Sequence, residues 1–286
     1  MKLVLEGGGA RAAYSAGLVH ELSRAGVRPR VVIGCSSGSI NAAFFASGQT
    51  QTVCDLWANY VPGKHFISWR RHFTPFAAPG LAIDDMLDRV IVGGGLLDAA
   101  AATRGNPALY VAATDLATGR GVLAQPTRDN VIEWLRASLA LPVGYNRIVS
   151  IEGRSCVDGG VAMPVPFDEP ITTPCPEPTV VVLTRKMDTA KAPPNWWERA
   201  FIWSSVPRAA RAATLRQHEL HNAVMARLRS AVARKEVMLV NPPDDLTLRR
   251  FTRDATSLRA GIELGKRVGA ALACTLLESV CDPVSS

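Results

Sequence analysis

Between the apolar run Val31-Val32-Ile33 and the helix-like stretch Ile40-Asn41-Ala42-Ala43-Phe44-Phe45-Ala46 stands Gly34-Cys35-Ser36-Ser37-Gly38. A strand, a turn of five small residues and a helix leave this part of the chain few choices. Gly34 and Gly38 permit a sharp bend, and Ser36 then stands clear of the sheet edge. The amide of Ser37 and the positive end of the following helix lie beside it. In this setting G-x-S-x-G is the pattern of a nucleophile elbow, although the same residues also make a plain strand–loop–helix connection. Cys35 holds the position that such a turn hides, and reads as a small buried residue.

Upstream, Leu3-Val4-Leu5 reads as a short buried strand running into Glu6-Gly7-Gly8-Gly9-Ala10-Arg11. Tyr14, Leu18, Leu22 and Ala25 recur at helical spacing, and Gly26 stands where that helix stops. Two strand-to-helix turns so close together imply a right-handed β-α-β unit. Both loops then sit at the carboxyl edge of one sheet, with the glycine run beside Ser36. A P-loop needs Gly-Lys-Ser/Thr where this chain has Arg11-Ala12-Ala13, and no G-x-G-x-x-G frame fits because position 12 is alanine. The remaining use is an oxyanion hole: the N–H groups of Gly8 and Gly9 would face the oxygen that turns negative in acyl transfer. Arg11 would add fixed charge or tie the loop down. A glycine turn without a ligand is the bland alternative.

Further along, Cys54 to Leu87 carries Trp57, Tyr60, Phe66, Trp69, Phe73 and Phe76 among His65, Arg70, Arg71 and His72. Its weak periodicity suggests a helix and an irregular segment flanking a substrate channel. Gly93-Gly94-Gly95 marks a loop. Leu109–Ala113 and Gly121–Leu123 form a hairpin signal at the sheet's edge, and Asp129 is placed to cap a helix over Val131–Leu139 that ends before Pro142. A short strand finishes at Asp158, and Gly159-Gly160 allow an abrupt turn. Such an Asp-Gly turn is commonly just a turn. Six prolines from Pro164 to Pro178 make an irregular connection before the core strand Val180–Leu183. The chain then reads as helical from Trp196 to Lys235 with a break near Pro207. A strand at Val237–Val240 follows, and then a closing helix with Leu258, Ile262, Gly265, Gly269, Leu272 and Leu276 on one face. Alternating strands and helices without a clear linker predict one α/β domain over residues 1–286.

Charge is uneven. The net charge is +7, and residues 185–267 hold 17 Lys and Arg against 8 Asp and Glu, which leaves the rest slightly acidic. A basic C-terminal part suggests an anionic partner, or simply a solvated helix surface. Trp196, Trp197, Phe201 and Trp203, followed by Arg208, Arg211 and Arg216, read first as core packing with a basic outer face. Docking on anionic lipid is the alternative. Nucleic-acid binding has charge in its favour but no motif, and is not expected. The six cysteines are scattered without a C-x-x-C pair, so neither zinc nor a disulfide framework is expected. No secretory signal or membrane span is apparent, and the default expectation is a cytoplasmic protein with peripheral membrane contact as an option.

Ser36 needs a base. The chain order Ser36, Asp158, then His218 or His221 matches a Ser–Asp–His triad, but only two strands precede Ser36, too few for the fold that carries that triad. The other arrangement is a dyad in which Asp158 takes the Ser36 proton directly, with the oxyanion donors carrying much of the rate. Gly7-Gly8-Gly9-Ala10-Arg11, Gly34-Cys35-Ser36-Ser37-Gly38 and Asp158-Gly159-Gly160 together resemble the patatin-like phospholipase family. Ala113-Thr114-Asp115 with Thr118-Gly119, and Ala137-Ser138-Leu139-Ala140-Leu141-Pro142, resemble it too. These blocks span Leu3 to about Pro166.

The resemblance implies a three-layer α/β/α sandwich with a mostly parallel sheet, and hydrolysis of lipid acyl esters without calcium, metal or other cofactor. It makes Ser36 the nucleophile and Asp158 the general base. Gly7, Gly8, Gly9, Arg11 and the Ser37 amide form or support the oxyanion hole, with Gly34, Gly38, Gly159 and Gly160 as motif glycines. Ala12 departs from the family's usual glycine, which bears on the geometry of the hole. A non-catalytic lipid-binding protein on the same fold is the alternative from another class.

Overall fold

The computed structural model describes residues 1–62, 66–68, 79–175, 178–188 and 190–281. Its strands are β1 (Lys2–Leu5), β2 (Val31–Cys35), β3 (Ala108–Asp115), β4 (Arg120–Ala124), β5 (Val149–Ile151), β6 (Arg154–Asp158), β7 (Thr179–Val182) and β8 (Val237–Val240). The helices are α1 (Ala12–Arg24), α2 (Ser37–Ala46), α3 (Thr50–Asp55), α4 (Ala99–Ala102), α5 (Val131–Leu139), α6 (Trp196–Ser205), α7 (Arg208–Ala233) and α8 (Ala255–Cys281). Hydrogen-bonded neighbours run β5-β6-β3-β2-β1-β7-β8, with β4 also paired to β3. From β3 to β8 the pairings are parallel, and β4, β5 and β6 join as antiparallel strands.

The central strands are continuous apolar runs because both faces are covered. Leu3, Leu5, Val32, Val180 and Val182 face a core built with α1, α2, α3, α5 and α8. Val4, Val31, Ile33 and Val181 face the opposite side, against Val224, Met225 and Leu228 of α7. The result is a three-layer α/β/α sandwich with a mostly parallel sheet.

α1 and α8 pack closely enough that backbone meets backbone. A Cβ on Gly265 would lie 1.9 Å from the Tyr14 carbonyl oxygen, and one on Gly17 would lie 2.0 Å from that of Ile262. The predicted apolar stripe of the closing helix is therefore seated on the first helix. Buried Asn41 adds a polar tie: its amide donates to Ala12 O and Ser15 Oγ, and its oxygen accepts from Trp57 Nε1.

Several expectations are refined. Asn130, not Asp129, precedes α5, and its side chain accepts from Thr127 N instead of capping the helix. Strand β5 had no signal of its own in the sequence. Ala25 lies beyond the end of α1, at an exposed position, and Gly26 takes the positive φ of 83° that ends the helix. His65, Trp69, Arg70, Arg71, His72, Phe73 and Phe76 lie outside the described residues. Core packing does not describe the tryptophans of α6. Trp196, Trp197 and Trp203 are 64%, 67% and 58% exposed, and Ile202 is the buried side chain of that helix.

The feature that positions the site is the shared edge of β3. Val111 and Ala112 pair with β2 and β4, whereas Ala113 to Asp115 pair with β4 and β6. β2 and β6 therefore lie end to end on one edge of β3, running toward each other. Cys35 is opposite Ala112 and Asp158 opposite Ala113. The last residues of two strands far apart in sequence become neighbours.

Candidate active site

Ser36 follows β2 immediately and precedes α2, with φ 52° and ψ −132°. A non-glycine residue at positive φ holds about 1–3 kcal/mol of strain unless its surroundings compensate. Here they do. The Ser36 N–H donates to Ser138 Oγ at 2.9 Å, and its carbonyl accepts from the Ser39 hydroxyl at 2.6 Å and the Ser39 amide at 2.8 Å. The flanking glycines are required by contact: a Cβ at Gly34 would fall 2.5 Å from Gly38 O, and one at Gly38 2.5 Å from Leu5 O.

Asp158 is 3% exposed, and its two oxygens have separate tasks. Oδ2 accepts the Ser36 hydroxyl at 2.6 Å and Oδ1 accepts the Gly160 amide at 2.7 Å. Burial raises its pKa above the ordinary carboxylate value, while those two hydrogen bonds and the charges of Arg250 and Lys191 work in the other direction. Thr114 Oγ1 donates to Asp158 O at 2.9 Å and accepts from Ala162 N, and Gln217 Nε2 donates to Gly160 O. The turn is thus held from both sides. Asp115 braces its own loop through Ala117 N and Thr118 Oγ1.

Gly7, Gly8, Gly9, Arg11 and Ser37 line the same pocket as Ser36 and Asp158. A Cβ on Gly7 would sit 2.6 Å from the Ser36 Cβ, so this glycine is what lets the first loop touch the elbow. The Gly8 N–H is engaged, donating to Ser37 Oγ at 2.9 Å. Among the described residues no hydrogen bond occupies the amides of Gly9 or Ser37, which open the short 3-10 lead into α1 and the first turn of α2. Two helix amino ends therefore converge on Ser36. Ala12 has φ −66° and ψ −12°, a conformation any residue adopts, so the missing family glycine introduces no strain.

Neither histidine contacts Ser36 or Asp158. His218 Nδ1 pairs with Leu215 O on its own helix. His221 is buried and lines the pocket, but its Nε2 faces the Arg185 guanidinium. Burial, then the neighbouring Lys191, Arg185, Arg250 and Arg11, push it down to about 3. The Cys35 thiol is fully buried and pushed well up, chiefly by that burial, so it is not a thiolate nucleophile.

A serine at positive φ on a strand-to-helix turn, a buried aspartate bonded to it and a glycine run against both agree with the match of residues 3–171 to the patatin-like phospholipase family model. The chain belongs to the patatin-like phospholipase family. The family's activity is that of a lipid acyl hydrolase acting on ester bonds. This patatin-like chain is 25% identical over 274 residues to the uncharacterized protein YjjU of Escherichia coli K12, covering 93% of itself and 75% of that relative. Among solved structures it is similar to VipD from Legionella pneumophila, with TM-score 0.49 and 12% identity, covering 96% of itself and 66% of that longer chain.

Arg185, Lys191 and Arg250 also line the patatin-like pocket, each beyond the matched residues, and no motif in the sequence marked them. Trp57, Ile67, Ile83 and Met86 line it from the stretch expected to flank a substrate channel, and Leu139 from one of the family blocks. Buried Glu6 ties the ends of β1 and β7, its Oε2 accepting from Thr184 N at 2.6 Å and Thr184 Oγ1 at 2.9 Å. The cavity itself has a volume of about 90 Å³, and it opens into a wider mouth.

Proposed function

We propose that this chain is a serine hydrolase that cleaves acyl esters of lipids through a Ser36–Asp158 dyad and an acyl-enzyme. The observation that carries this reading is the 2.6 Å hydrogen bond from Ser36 Oγ to Asp158 Oδ2, with Oδ1 held separately by Gly160. Ser36 Oγ attacks the acyl carbonyl carbon as its proton passes to Asp158. The carbonyl oxygen becomes negative and is received by the free amides of Gly9 and Ser37, with Arg11 supplying positive charge. Collapse expels the alcohol, which takes the proton from Asp158 and leaves the acyl group on Ser36. Water then attacks the acyl-enzyme, giving its proton to Asp158. The second collapse releases the fatty acid and returns the proton to Ser36. The apolar side chains of Ile83, Met86 and Leu139 suit an acyl chain.

Ser36→Ala and Asp158→Asn are each expected to lower kcat/KM for p-nitrophenyl butyrate by ~10³-fold or more, as loss of a member of a serine-hydrolase triad does. A fluorophosphonate probe should label Ser36 in the native protein and leave Ser36→Ala unlabelled. Full activity in either variant would sink the dyad. An unlabelled, inactive but folded native protein would favour the non-catalytic lipid-binding reading.

A further inference from the structure

The Gly8 amide sits beside the reaction centre and yet points at a protein oxygen. It donates to Ser37 Oγ at 2.9 Å, and Ser37 is the residue after the nucleophile. We propose that the Ser37 hydroxyl is a third oxyanion donor. It accepts the Gly8 amide and donates its own hydrogen to the substrate oxygen that turns negative. The assignment rests on the hydrolase reading above and adds a catalytic side chain to it.

The Gly7–Gly8 peptide is held at both ends. Thr184 Oγ1, which also serves Glu6, donates to Gly7 O at 3.0 Å, while Gly8 N reaches Ser37. Turning the Gly8 amide directly toward a ligand would break both bonds. Its effect passes through Ser37 instead. A hydroxyl oxygen that accepts an N–H turns its own hydrogen away from that donor, and accepting polarises the O–H into a better donor.

That hydrogen has no acceptor among the described residues. Serines and threonines inside a helix give theirs to a carbonyl about one turn back, as Thr214 does to Ala210 O at 2.7 Å and Ser15 to Ala12 O at 3.1 Å. Ser37 opens α2 and has no turn of that helix behind it. The adjacent Ser36 carbonyl already accepts the Ser39 hydroxyl and amide. Ser37 is 3% exposed and lines the pocket with Ser36 and Asp158. A buried donor left unmade is costly, and a ligand oxygen in this pocket would satisfy it. The timing follows from lone pairs. A ground-state ester carbonyl oxygen has two, which the Gly9 and Ser37 amides can fill. The oxygen of the tetrahedral intermediate has three and carries the charge. A third donor is therefore fully used only as that charge develops, where an O–H bond to an anionic oxygen is at its strongest. Its loss belongs in kcat.

Ser37→Ala removes the hydroxyl and keeps the backbone amide. It is expected to lower kcat for p-nitrophenyl butyrate by ~10²-fold or more, with KM little changed. Ser37→Cys fills the position with a weak donor and should lose nearly as much. The second readout is affinity for an alkyl trifluoromethyl ketone. Ser36 Oγ bonds to its carbonyl carbon, the Ser36 proton passes to Asp158, and the carbonyl electron pair moves onto oxygen as O⁻. Affinity for the ketone should fall in both variants by about the same factor as kcat. Affinity for the secondary alcohol of the same skeleton, which forms no adduct, should hold. Melting curves confirm that each variant is folded, and Ser37→Cys carries the comparison if Ser37→Ala is not. A native kcat in Ser37→Ala would overturn the assignment, and a raised one would make the hydroxyl a plug on the Gly8 amide. A loss in Ser37→Ala with native rates in Ser37→Cys would reduce Ser37 to packing, as would equal losses of ketone and alcohol affinity. A native protein that neither turns over the ester nor binds the ketone would remove the hydrolase reading, and this assignment with it.

Discussion

A carboxylate works as a base only while ionised, and burial acts against that state at Asp158. Its pKa is raised, first by burial, so the folded protein binds a proton over a range where the unfolded chain has already lost it. Stability from this group is therefore fullest at low pH and falls as pH rises from the ordinary carboxylate value to the folded one. Activity runs the other way. The acid limb of kcat/KM should lie above the ordinary value of 3.8. Asp158→Asn, isosteric with the protonated form, should melt higher than the native protein above that range, by roughly 2–4 °C for each kcal/mol recovered. A pH–rate profile on a neutral ester and calorimetric scans of the two proteins check both halves, and a lower melting temperature for Asp158→Asn would contradict the sign. His221, held near 3 and bonded to Arg185, predicts no second limb near ~6.5, the ordinary histidine value. A limb there that vanished in His221→Gln would revive the triad.

The elements show where close approach is demanded and where it is only tolerated. At the crossing of α1 and α8, Gly265→Ala would set a Cβ 1.9 Å from a backbone oxygen that has no side-chain freedom to move aside. The helices must separate, at a cost of about 1–3 kcal/mol or more for overpacking, while the Ser36–Asp158 contact lies elsewhere. Urea denaturation should show a lower midpoint with an unchanged slope, and labelling of Ser36 in the folded fraction should persist. Gly26→Ala offers the contrast: among the described residues nothing beyond its chain neighbours lies within 4 Å of its Cβ position, and its penalty comes from φ 83°. Legibility followed the same division. The elbow, the glycine run and the Asp158 turn could be read because each needs particular residues at fixed spacing in a short segment. The end-to-end meeting of β2 and β6 on β3 could not, since it depends on register between strands far apart. Strand β5 escaped because three residues carry no period. Arg185, Lys191 and Arg250 resembled any basic surface until adjacent strands brought them to one pocket. Ser138 was noticed within a family block, but its service to the Ser36 amide appears only in three dimensions.

At the scale of the whole molecule, the question is how a lipid would reach a pocket of this kind. Among the described residues no helix is long and apolar enough to cross a membrane. One helix nevertheless offers apolar surface to solvent. α6 carries Trp196 and Trp197, stacked with ring centroids 3.5 Å apart, and Trp203, over which Arg211 lies at 5.2 Å. Lys191 and Gln217 line both the pocket of Ser36 and the neighbouring hollow bounded by Trp197 and Phe201, so the exposed aromatics adjoin the site. Indole rings favour the boundary between acyl chains and headgroups, and Arg199 on the same helix and Arg211 over Trp203 favour anionic headgroups. We propose that α6 rests on anionic membrane and presents the pocket to it. Replacing Trp196, Trp197 and Trp203 with Ala should weaken co-sedimentation with phosphatidylglycerol–phosphatidylcholine vesicles at least ~10-fold, because each ring removes a large apolar contact from the interface. Native binding should weaken as salt rises, through screening of the arginines. Hydrolysis of vesicle lipid relative to a dissolved ester should fall in the same variant. Unchanged co-sedimentation would remove the membrane from the account of α6, and loss of vesicle binding with that hydrolysis ratio preserved would separate docking from delivery of substrate to Ser36.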